Sequence, residues 1–123
     1  MPDTTDSATG NGVVAAAISN GIVGLMHHYT GRGPVRARTT IDENLIVCVL
    51  GDALTKAERH LVDAGRENVV LRGRRAMQKT LADDAISMVE RLTERTVVAF
   101  MSNNHVDPDL GVEIFLLAPV ATT

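Results

Sequence analysis

The segment YTGRGPVRART at residues 29–39 places Arg32, Arg36 and Arg38 on and just after a Gly-Pro turn. A guanidinium presents a planar fork of donors matched to carboxylate and phosphate oxygens, so these residues are candidates for gripping an anion or an acidic partner. Read as a strand, residues 35–41 put Arg36 and Arg38 on one face, about 7 Å apart, because side chains alternate along the chain. A second basic segment lies at 66–80, where Arg72, Arg75 and Lys79 recur at helical spacing and share a face. Two readings stand side by side. In one, Arg32, Arg36, Arg38 and Arg75 meet in a single electropositive groove for a small oxyanion or an acidic surface. In the other, both clusters are solvated faces, and Arg36 and Arg38 guard a sheet edge against aggregation.

The other polar constellations have plainer explanations. Asn103, His105, Asp107 and Asp109 alternate in NNHVDPD, a set able to hold a divalent metal. The same composition makes an ordinary hairpin loop, and neither calcium-loop nor zinc spacing is present. His27 and His28 fall near the end of a helix, where they favour its negative pole. Thr55 and Glu58 form a capping box, which accounts for a carboxylate that might otherwise be taken for a general base. No catalytic residue, metal or cofactor is assigned.

These residues need elements to position them. Residues 1–10 are polar and aperiodic and are expected to form a disordered tail. Asn11 caps a first helix reaching about Thr30, with Val14, Ile18, Ile22 and Leu25 at helical spacing and Gly31 as its end. Residues 35–41 and LIVCVL at 45–50 form a hairpin around DEN. The second strand is apolar throughout and reads as buried on both faces. A short capped helix ends at Gly65, and a long one occupies roughly 67–93 on the stripe Val70, Met77, Leu81, Met88 and Leu92. TVVAFMS and VEIFLLA close the chain as a hairpin around NNHVDPDLG. The expected order is α-β-β-α-α-β-β: two hairpins in one antiparallel sheet backed by helices, an α+β class.

The 123 residues suit one domain, here residues 11–118, with 119–123 as a C-terminal tail. The net charge of −3 and the shortage of aromatics argue against nucleic-acid binding. The longest apolar runs fall far short of the roughly 20 residues needed to cross a bilayer, so direct membrane insertion is not expected. Cys48 stands alone, which fits a reducing, cytoplasmic setting. A core of aliphatic residues with only Tyr29, Phe100 and Phe115 as aromatics favours burial of further surface in a homodimer.

Four segments in order, YTGRGPVRART, ALTKAERHLVDAG, VERLTERTVVAFMS and NHVDPDLGVEIFLL, resemble the MpsC-like domain family, named after a Na⁺-translocating, membrane-potential-generating system of bacteria. The resemblance covers roughly residues 11–118. It implies a small soluble component of a membrane transport system, with membrane partners linked to cation movement and inorganic-carbon uptake. The positions matching its motifs are Gly31, Arg32, Gly33, Pro34, Arg38, Leu54, Thr55, Glu58 and Arg75. The family usually has a glycine after the long helix, where this chain has Glu94, so a different helix ending is expected here. The resulting expectation is a non-catalytic accessory or regulatory domain. The alternative is a small enzyme acting on a phosphorylated or carboxylated substrate held by the same arginines.

Overall fold

The computed structural model describes residues 2–120, with side-chain surroundings from residue 10 onward. Seven elements follow in the expected order: α1 (Pro2–Thr30), β1 (Arg36–Asp42), β2 (Leu45–Gly51), α2 (Lys56–Asp63), α3 (Glu67–Thr93), β3 (Val97–His105) and β4 (Leu110–Leu117). The chain is an α+β domain whose four strands form one antiparallel sheet in the order β1-β2-β4-β3. Residue 1 and residues 121–123 of the expected tails lie outside the described residues.

The first helix begins at Pro2 rather than at Asn11. Proline suits a first helical position because its φ is already helical and its missing donor is not needed there. Ile18, Ile22 and Met26, four residues apart, are buried on one stripe. Gly31 ends the helix at φ +78°, its N–H donating to His27 O at 2.8 Å. Gly33 then lets the chain fold back on α1, since a Cβ there would lie 3.1 Å from the Val23 carbonyl oxygen.

One face of the sheet is covered by α1, which lies on β1, and by α3, which lies on β3; the two helices also cross each other. Between them and the sheet sit Ile18, Ile22, Met26, Ile46, Cys48, Leu50, Leu81, Ala85, Met88, Val89, Phe115 and Leu117. Two features differ from expectation. The last hairpin loop is shorter, because β3 continues through Asn103, Asn104 and His105; Asn104 exchanges hydrogen bonds with Gln78 of α3, at 2.9 and 3.1 Å, which holds the strand against the helix. More consequentially, β2 is buried on one face only. Ile46, Cys48 and Leu50 point at the helices, while Leu45 and Val49 are exposed and Val47 is half-buried, because no layer among the described residues covers the other side.

Helix α3 ends as families with a glycine here would have it end, but on a glutamate. Glu94 takes φ 55°, ψ 35°, with its N–H donating to Glu90 O at 2.8 Å. The left-handed ending is therefore retained, and the chain carries its steric cost.

Candidate functional site

The sequence brought four arginines to notice, and the structure gives them separate duties. Arg32 turns back on its own chain: Nη1 donates to Asp52 O at 2.6 Å and Leu54 O at 2.9 Å, and Nη2 stands 3.5 Å from the Asp52 carboxylate. Asp52 itself has φ 58°. Arg59 also pairs with Asp52 and reaches Asp109 at 3.2 Å, while Asp109 accepts the Leu54 N–H at 2.9 Å. Arg32 and Asp109 thus fasten the link between β2 and α2. Asp109, once weighed as a metal ligand, is occupied as a loop anchor. His105 Nδ1 lies 2.9 Å from Pro108 O.

Arg36 and Arg38 project outward from β1, opposite Gly51 and Val49. A Cβ on Gly51 would fall 2.8 Å from Arg36 Nη2, so the guanidinium lies flat across that glycine. Both arginines overlook the open face of the sheet. Arg75 is elsewhere. It lines a cavity of about 300 Å³ with Gln78, Lys79, Ala82, Phe100 and Ser102, between α3 and β3. Since β1 and β3 are the two edge strands, the basic clusters stand at opposite edges and on opposite faces of the sheet. The single groove that would have joined Arg32, Arg36, Arg38 and Arg75 is not formed, because β2 and β4 lie between its halves.

Two buried charges escaped notice in the sequence. Arg74 is 2 % exposed, and its Nε and Nη2 donate to Glu58 at 2.8 and 2.5 Å, with Nη2 also reaching Ala53 O at 2.7 Å. Glu58 completes the capping box, Oε1 accepting the Thr55 N–H at 2.8 Å and Thr55 Oγ1 accepting the Glu58 N–H at 3.2 Å. Burial would raise the Glu58 pKa, but Arg74 and the Thr55 N–H outweigh it and hold the carboxyl below its ordinary value. Arg74 falls on the stripe Val70, Gln78, Leu81, Ala85. A cation on an otherwise core-facing stripe was the signal that could have found it.

The other is Glu113, fully buried on the helix-facing side of β4. Its cross-strand neighbours are Cys48 on β2 and Ser102 on β3. Neither carboxyl oxygen, nor Ser102 Oγ, has a hydrogen-bond partner among the described residues. Burial pushes the Glu113 pKa up to about 7; Ser102 and Gln78 favour the ionised form but less strongly. Burial likewise raises the thiol of Cys48. The alternation of VEIFLL had put Glu113 in phase with Phe115 and Leu117, so its inward direction was readable.

The uncovered face of the sheet carries an exposed apolar patch. Leu45, Val49, Met101 and Leu116 are 41, 44, 58 and 40 % exposed. Around them, Val47 pairs with Ile114, Val49 with Val112 and Met101 with Ile114, all outward. At one end Val49, Asn103, His105, Leu110 and Val112 shape a shallow groove of about 340 Å³. Soluble monomers rarely leave so continuous an apolar patch open, and such patches mark interaction sites.

These surfaces define a two-layer α+β domain with helices on one side of an antiparallel sheet and a bare apolar face on the other. Residues 11–119 match the family described as Na⁺-translocating membrane potential-generating system (MpsC), and the chain belongs to that family. No curated protein and no solved structure matches it. Among the described residues, no helix is long and apolar enough to cross a membrane.

Proposed function

We propose that this chain is a non-catalytic accessory subunit of a bacterial membrane system that moves cations or inorganic carbon, and that it docks on a partner subunit through the outer face of its sheet. One observation carries the docking: β2 is apolar on both faces, the pattern of a strand covered on both sides, yet the described residues cover only one. Strands about 4.8 Å apart and rising about 3.4 Å per residue give the apolar strip on β2 and β4 a span of roughly 10 by 24 Å, with Met101 of β3 beside it. That is within the size of apolar patches that serve as binding surfaces. Arg36 and Arg38 form a positive rim along β1, which suits a partner with an acidic segment beside its apolar contact. Ion passage in this reading belongs to the partner, and a cytoplasmic position fits the single free Cys48.

The test is co-purification with the membrane subunits of the same system, comparing the native chain with Val49→Lys and Arg38→Glu variants whose circular dichroism is unchanged. The native chain is expected to be retained, Val49→Lys to be lost, and Arg38→Glu to be weakened more at low salt than at high salt. Retention of Val49→Lys at native level overturns the docking surface. Sedimentation of the isolated chain decides whether a second copy is the occupant: a dimer broken by Val49→Lys would assign the face to self-association and replace the partner reading.

A further inference from the structure

We propose that the cavity between α3 and β3 is a binding site for a small organic oxyanion, with Arg75 and Lys79 holding its charge at the mouth and Ser102 donating to it from the floor. This site is separate from the docking face: it opens on the helix-covered side of the sheet, at the β3 edge.

Three features converge there. Arg75 and Lys79 are both exposed, one helical turn apart, and neither pairs with an acid among the described residues. They are therefore available to an anion, unlike Arg32, Arg59 and Arg74, whose charges are already engaged. Phe100 and Ala82 give the walls an apolar character, and about 300 Å³ holds a body larger than a bare inorganic ion. Finally, Ser102 lines the cavity, and its Oγ, buried behind that wall, has no hydrogen-bond partner among the described residues. A buried hydroxyl without a partner is a group whose binding capacity is unspent, and leaving it so costs about 1–3 kcal/mol.

Glu113 stands behind Ser102 and supplies a control. The groups facing it are Cys48 from β2, Ser102 from β3 and Gln78 from α3, all uncharged when the thiol is protonated; Ser102 and Gln78 favour the ionised carboxyl, but less strongly than burial opposes it. When protonated, Glu113 can donate to Ser102 Oγ and leave the Ser102 proton for the ligand. When ionised, it accepts that proton itself and adds a negative charge behind the site. Binding is thus coupled to uptake of a proton at Glu113, whose pKa of about 7 sets the range. From pH 6 to pH 8 the protonated fraction falls about tenfold, and affinity falls with it.

Titration calorimetry with benzoate, and with acetate as the small comparator, tests this at pH 6 and pH 8. Expected are saturable benzoate binding tighter than acetate, roughly tenfold weakening at pH 8, and loss of at least tenfold on Arg75→Ala. Glu113→Gln is expected to bind with no dependence on pH over this range. Val49→Lys, which disables the docking face, is expected to bind as the native chain does, so failure there does not touch this site. The absence of saturable binding at pH 6 overturns the proposal, as does binding indifferent to Arg75→Ala. A pH dependence retained in a folded Glu113→Gln variant overturns the role of Glu113.

Discussion

Replacing Glu113 by glutamine should make the fold more stable in a way that depends on pH. Among the described residues the carboxyl has no hydrogen-bond partner, and its burial raises its pKa from an ordinary 4.5 to about 7 in the folded chain. Below pH 4.5 the group is neutral in both states, and the native chain bears no penalty for it. Between 4.5 and 7 the unfolded chain releases the proton while the folded chain keeps it, so stability falls as pH rises. Above pH 7 both states are ionised and the penalty is complete. At roughly 1.4 kcal/mol per pH unit, the shift corresponds to about 3 kcal/mol. Glutamine has nearly the same shape and no charge. Urea unfolding at half-unit steps from pH 4.5 to 8 should therefore show the variant close to the native chain at the acid end. At pH 8 the variant should exceed it by up to about 3 kcal/mol. A difference between the two proteins that stays constant across this range would refute the reasoning, since it would mean that Glu113 titrates alike folded and unfolded.

Other perturbations test other joints. Arg74→Ala leaves Glu58 half-buried without its partner and should cost about 3 kcal/mol in chemical denaturation, with Arg74→Lys recovering only part. Because the Glu58 pKa is lowered in the fold, its contribution is full above the ordinary carboxylate value and is lost as pH falls through the folded value, an acid-side slope that Glu58→Gln should remove. Glu94→Gly relieves the left-handed strain at the end of α3 and should raise stability by about 1 kcal/mol, seen as a higher melting temperature. Arg32→Ala frees two carbonyls in the link before α2; it should lower the melting temperature while leaving benzoate binding unchanged.

Much of this fold was legible because local signals agreed with the tertiary answer. The Thr55–Glu58 box, Gly31 and the stripe on α3 each appear where the spacing put them. The site was less legible, for a physical reason. Charge clustering in sequence shows where guanidinium groups are attached, whereas their duties depend on carbonyls and carboxylates distant in the chain, as Asp52 and Leu54 are for Arg32. Arg75 and Arg38 could be placed together on paper because sequence gives no strand order, and the insertion of β2 and β4 between their neighbours is what parts them. The reading of β2 as covered on both faces was right about its composition and wrong about the isolated chain, and that mismatch became the argument for a docking surface. Glu94 keeps the glycine-like ending, and beyond it the Val97 N–H donates to Glu90 Oε2 at 2.9 Å.

The strand order has one more consequence. With β2 and β4 antiparallel at the centre, α1-β1-β2 and α3-β3-β4 are two units of the same order, each a helix laid over its own hairpin. Helix α2 and the turn at Gly65 join the two units. Cleaved at residues 64–66, it should yield two complementary fragments. Each would be unable to shield its central strand alone, and mixing the two would restore the native sheet.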